Sequence, residues 1–182
     1  TGTNENTLKS SPLIEIYRKK DIEVLILDDE IDEIVISSIP KYKDFELKSV
    51  NKADAEQDLS DNDNKSKEKF KPLTNRIKNV LKDKVKDVNI SSRLMDSPSC
   101  IVIDQNDPSI QMQEIMKRMG NANSMPEVKP ILEINPNHKI ISKMDKMNKT
   151  KKFKDACHLL LEQALLIEGI NLSNPAEFVS RL

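Results

Sequence analysis

The chain has 182 residues, 29 Lys plus Arg against 30 Asp plus Glu, and a net charge of −1, which leaves no basic field for nucleic acid. That length accommodates one domain, or a small domain with a piece of another, and 32% charged against 37% apolar residues leaves part of it solvated. Three glycines offer no glycine-rich phosphate loop, and no apolar run approaches the roughly 20 residues of a membrane span.

Residues 1–11 carry no secretory signal and no initiating Met, so they read as the interior of a longer chain. With no export signal and no cysteine framework, Cys100 and Cys157 read as reduced, buried thiols of a cytoplasmic protein. Residues 12–20 form a short amphipathic helix with Leu13, Ile16 and Tyr17 on one side, opened by Ser11-Pro12. Residues 22–27 (IEVLIL) have the continuous apolarity of a strand covered on both faces. Residues 31–39 read as a helix stopped by Pro40, and residues 45–50 as another strand. Residues 1–50 therefore look like the closing units of an α/β sheet.

Residues 51–72 carry eleven charges in twenty-two positions and little apolar surface, which makes them a linker, at most weakly helical, and the domain boundary. The unit from 73 to 182 begins with a helix carrying Leu73, Ile77, Val80 and Leu81. Strand patterns follow at 85–94 and 100–103, separated by the turn Asp96-Ser97-Pro98. Residues 110–119 form a helix with Asp107 as N-cap, Pro108 as first residue and Gly120 as stop. Then come a strand at 130–134, a helix opened by Asn135-Pro136, a long helix from Lys151, and a last one opened by Asn174-Pro175 with Glu177 in capping-box position. The order α-β-β-α-β-α-α-α makes this unit α+β.

Chemistry-bearing constellations are few. His138 and His158 have no ligand cluster beside them, so no metal site is read. Cys157 and His158 are adjacent on a helix and point about 100° apart, which rules out a dyad. Asp28, Asp29, Glu30, Asp32 and Glu33 form a solvated helix start, so no catalytic residue is assigned.

Two apolar surfaces are more informative. Met112, Ile115, Met116 and Met119 recur at helical spacing, opposite Gln111, Gln113, Glu114, Lys117 and Arg118. This stripe is either core-facing or an adaptable contact surface, because Met side chains re-pack against many partners. In the helix from Lys151, Phe153, Ala156, Cys157, Leu160, Leu161, Ala164 and Leu165 form one face, while Leu159, Leu166 and Ile170 are apolar elsewhere. Apolar surface on two sides of a near-terminal helix points to cover by a second polypeptide.

Several segments together resemble one family. Residues 18–33 (RKKDIEVLILDDEIDE), 91–102 (SSRLMDSPSCIV), 125–138 (MPEVKPILEINPNH) and the LLLEQALLIEG-x-x-L-x-x-P run from 159 resemble the end of the middle domain and the C-terminal dimerisation domain of the bacterial, HtpG-type, ninety-kilodalton heat-shock chaperones. The resemblance implies a homodimer seam at Leu159, Leu160, Leu161, Ala164, Leu165, Leu166, Phe178 and Leu182, built as a helical bundle. It implies a surface for unfolded or partly folded clients at Met112, Ile115 and Met116, while the charge balance and the short apolar runs point to neither nucleic-acid nor membrane partners. ATP and Mg would belong to the longer protein, with no cofactor and no ATPase activity in this region. One departure is Asp21, where the family usually has Gly in the turn before the strand, so that turn is expected to differ. Two other readings stand beside this one: a plain oligomerisation scaffold, and part of an enzyme domain whose site is completed elsewhere.

Overall fold

The computed structural model describes residues 1–2, 4–29, 31–39, 41–55, 64–119, 128–148 and 150–182. The first helical elements are α1 (Glu5–Lys9), a 3-10 turn (Pro12–Ile14) and α2 (Glu15–Lys19). Ser11 opens the 3-10 turn by accepting the Leu13 N–H on its hydroxyl at 3.2 Å, and Leu13, Ile14, Ile16 and Tyr17 are buried. Asp21 sits at φ +54°. The turn thus keeps the left-handed geometry that glycine would adopt freely, and Ile22 N–H closes it on the Tyr17 carbonyl at 2.8 Å.

Residues 22–27, expected as a doubly covered strand, form none, and Ile22 and Leu25 are exposed. A strand exists only by pairing, and no described strand lies beside this segment to complete a ladder. Helix α3 (Asp32–Ser38) forms as expected, while Pro40, read as its stop, and Glu30 of the acidic run lie outside the described residues. The strand expected at 45–50 shrinks to one arm of a two-residue hairpin, β1 (Lys41–Tyr42) with antiparallel β2 (Phe45–Glu46).

The helix expected from Leu73 begins earlier. Helix α4 runs Asn64–Leu81 with Pro72 inside it, and Phe70 is buried, so the C-terminal flank of the charged segment is helical. The flank at Lys52 and Ala53 docks on Ile103 through a parallel bridge. Strands β3 (Asp87–Ile90), β4 (Ser99–Val102) and β5 (Ile131–Ile134) form one sheet in the order β3-β5-β4, with β5 parallel to β3 and antiparallel to β4. Helices α5 (Ile110–Arg118), α6 (Lys139–Asp145), α7 (Lys151–Ile167) and α8 (Pro175–Arg181) complete the chain. The expected order holds from α4 onward, and the class is α+β. Among the described residues no helix is long and apolar enough to cross a membrane.

Side-chain alternation along the strands places two cores on the two faces of this sheet. On one face, Val88, Ile101, Leu132 and Ile134 pack with Leu73 and Ile77 of α4, Ile141 and Met144 of α6, and Phe153, Cys157, Leu160, Leu161 and Ala164 of α7. On the other, Cys100, Val102 and Ile131 pack with Leu94 and with Leu13 of the first 3-10 turn. Two caps differ from expectation. Ser109, not Asp107, caps α5 by accepting the Met112 N–H at 3.0 Å, because Asp107 is drawn to Lys86. Helix α6 starts at Lys139 rather than at Pro136, with His138 Nδ1 accepting the Ile140 N–H at 3.2 Å.

Candidate functional site: the apolar faces of the C-terminal helices

Helix α7 divides its apolar residues between two tasks. Leu160, Leu161 and Ala164, expected at a dimer seam, are buried by the chain's own sheet and α4. Ser99 fastens the helix to β4 by donating its hydroxyl to the Leu160 carbonyl at 2.9 Å and accepting from Gln163 at 3.1 Å. These three residues therefore have no surface left to offer a partner. Sequence periodicity merged the two faces because α7 is apolar on both. Leu159 and Leu165 are half-buried, with Leu165 packed on the outside of the core.

What remains open lies one helical face away. Leu166 is 45% exposed, Ile167 is also exposed, Val179 of α8 is 66% and its C-cap Leu182 83% exposed, with Phe178 half-buried beside them. Ile167 and Val179 were not among the expected seam residues. Val179 had a signal in the sequence, since it stands three residues before the expected Leu182. Gly169 at φ +75° ends α7 and lets the chain turn toward α8. Asn174 caps α8 by accepting the Glu177 N–H at 3.2 Å, but the Glu177 carboxylate turns to Arg181 instead of closing a capping box.

Arg181 also holds Glu162 of α7 at 2.5 Å, with both side chains nearly covered. That bond pins α8 across α7. Beside it, His158 Nδ1 and the second Glu162 oxygen are buried without a hydrogen-bond partner. Burial, then the cations Lys84 and Arg181, push the His158 pKa below its ordinary 6.5, against the pull of Glu162 and Asp155. The unfolded chain therefore takes up this proton first. Stability that is complete above pH 6.5 is lost as the pH falls through that value. Denaturation midpoints at about pH 7.5 and about pH 5.5 should fall more for the natural chain than for His158→Gln. Equal falls would assign the acid sensitivity to another group.

The second expected surface, Met112, Ile115 and Met116 on α5, is half-buried, while Met119 is 68% exposed. At the start of α5, around Ser109 and Met112, the neighbour is α3. Ser109 donates its hydroxyl to Glu33 of α3, and Met112 lines a groove of about 540 Å³ together with Glu33, Ile36, Ser37 and Pro108. The stripe is thus neither sealed core nor bare surface. Gly120, expected as the α5 stop, lies outside the described residues. A third set, Ile31, Ile34, Val35, Ile39, Tyr42 and Phe45, is exposed on the first fifty residues.

The reactive side chains are quiet. Burial pushes the Cys157 thiol up to about 12, and Cys100 is buried as well. Among the described residues no three His, Cys, Asp or Glu side chains gather where a metal ion could sit.

The family profile described as Hsp90 protein matches residues 1–182. A relative named chaperone protein HtpG from Treponema denticola is 50% identical over 188 residues, covering 100% of this chain and 29% of the relative. Relatives of the same name from Borrelia garinii subsp. bavariensis and Wolinella succinogenes are each 42% identical, over 99% and 100% of this chain. The chain spans 29–30% of the length of these curated relatives. With the whole chain matched at this identity, it belongs to the heat shock protein 90 family.

Proposed function

We propose that this chain is the assembly and client-contact region of a molecular chaperone, working as a homodimer on unfolded or partly folded proteins in the cytoplasm. Residues 1–50 form the end of a middle domain, 51–72 a charged connector and 73–182 a C-terminal dimerisation domain. The exposed apolar residues between Ile22 and Phe45 support the first assignment, since they leave that unit with surface for further packing. ATP and Mg belong to other parts of the longer protein. Three glycines supply no phosphate loop, and no residue of this chain is assigned to nucleotide or to turnover.

The observation that carries this reading is the strip Leu166, Ile167, Val179 and Leu182. Leu166 and Ile167 lie on a helix whose inner face is already filled by the chain's own core, and Val179 belongs to α8, which buries none of its own residues. A second copy offers the same strip, and a two-fold pairing of α7 and α8 covers both at once. Leu159 and Phe178 flank it and gain cover from the same pairing. Met112, Ile115 and Met116 form the client surface, where a groove and unbranched side chains suit partners of varied shape.

Sedimentation of Leu166→Glu/Val179→Glu should give single copies with unchanged far-ultraviolet dichroism. In a parallel arm, Met112→Asp/Met116→Asp should remain paired yet lose protection of an aggregating test protein by light scattering. Pairing that survives the first variant moves the seam elsewhere. Protection that survives the second reduces the region to a scaffold.

A further inference from the structure

The residues that begin α2 and the turn before it touch two distant parts of the chain at once. The Glu15 carboxylate lies in a cup of three consecutive backbone N–H groups between β3 and β4. One oxygen accepts Met95 N–H at 2.6 Å and Asp96 N–H at 2.9 Å, and the other accepts Ser97 N–H at 3.2 Å and the Ser97 hydroxyl at 2.5 Å. Successive N–H groups arranged this way form an anion-binding concavity, and hydrogen bonds to a carboxylate are the stronger kind. The loop is held from its other side. Buried Asn135 donates its amide to the Met95 and Ser97 carbonyls, each at 3.1 Å, and its backbone N–H to the Pro98 carbonyl at 2.9 Å. The cup is thus braced by a core side chain, and the occupant arrives from eighty residues away.

Four residues before Glu15, Ser11 donates its hydroxyl to Glu168 at 3.3 Å. Glu168 is the C-cap of α7, where Gly169 N–H bonds the Leu166 carbonyl at 3.0 Å and Ile170 N–H the Leu165 carbonyl at 2.9 Å. Leu13, between the two grips, is buried on the sheet face opposite α7. The loop that holds Glu15 continues through Pro98 into Ser99, whose hydroxyl bonds α7 at Leu160. Both routes lead from one five-residue segment to one helix.

We propose that residues 11–15 are a coupling strap, whose Glu15 grip on the 95–97 loop and Ser11 grip on the α7 C-cap make the last turn of α7 respond to displacement of the first fifty residues. The contacts lie within one chain, so the strap stands or falls independently of any second copy. Glu15→Gln keeps the size of the side chain but removes the charge and one acceptor oxygen, and its new amide faces N–H groups.

Amide hydrogen exchange on the full chain tests this. Glu15→Gln should accelerate exchange at Met95, Asp96 and Ser97 by about tenfold or more, the scale of one lost charge-assisted bond. Gly169 and Ile170 should accelerate with them, while Leu132 and Ile134 in β5 stay protected. Acceleration confined to 95–97 would make Glu15 a local anchor and overturn the coupling. No acceleration at 95–97 would overturn the grip itself. Ser11→Ala, measured in parallel, leaves the carboxylate in place and should accelerate Glu168, Gly169 and Ile170. Should Glu15→Gln also expose the strand amides, the outcome rests on this second variant, and unchanged exchange in it overturns the proposal.

Discussion

Arg93→Met is expected to lower the unfolding free energy by about 3–5 kcal/mol, the cost of leaving a buried charge without its partner. For a chain of this size that is a fall in melting temperature of roughly 6–20 °C. Arg93 is 0% exposed, and every named contact of its guanidinium is internal. Nε donates to Glu133 at 3.0 Å, and the other nitrogens reach the second Glu133 oxygen, the Val50 carbonyl at 2.6 Å and the Lys52 carbonyl at 3.1 Å. Glu133 sits in the central strand and also accepts the Ser91 hydroxyl at 2.8 Å. Methionine fills the volume but leaves the carboxylate and two carbonyls facing an apolar neighbour. Arg93→Met/Glu133→Leu should recover much of the loss, since both charges then leave together. A recovery short of complete measures the stranded Val50 and Lys52 carbonyls together with the Ser91 hydroxyl, which loses its Glu133 acceptor. Urea denaturation followed by dichroism reads all three states, and a loss below about 1 kcal/mol in the single variant would show that the pair does not govern stability.

Leu161→Ala should cost about 2–5 kcal/mol, the range for a leucine removed from a sealed core. Leu166→Ala should stay within about 0.5 kcal/mol in a single copy, the range for surface positions. The two leucines are five residues apart on one helix, so the difference measures how α7 is divided. Leu161 packs against the sheet and Leu166 does not. Comparable losses at both positions, measured at a concentration too low for association, would mean that Leu166 is covered within its own chain. The seam would then lose its central residue.

Much of the architecture was legible in the amino-acid order. Helix caps such as Ser11 and Asn174 and the apolar runs of β4 and β5 mark their elements locally, and local signals survive without knowledge of the rest of the chain. The failures share a cause. Residues 22–27 have the composition of a strand, but pairing is supplied by another segment, and none of the described strands supplies it. Asp107 has the right chemistry to cap α5, but Lys86 claims it, so Ser109 caps instead. The 64–72 stretch is too charged to order itself, yet it is helical because Phe70 reaches the core.

The candidate site shows the same division. The sequence by itself determined that α7 carries apolar residues on two sides and that α5 bears a Met-rich stripe. Tertiary structure alone decided that Leu160, Leu161 and Ala164 are core, that Leu166, Ile167, Val179 and Leu182 stay open, and that α3 neighbours Met112. It alone brought Arg93 to Glu133 and Glu15 to the 95–97 loop. Periodicity reports that a face is apolar, because spacing along a helix is a local property. What covers that face depends on which distant segments fold against it, and no count of residues along the chain contains that distance.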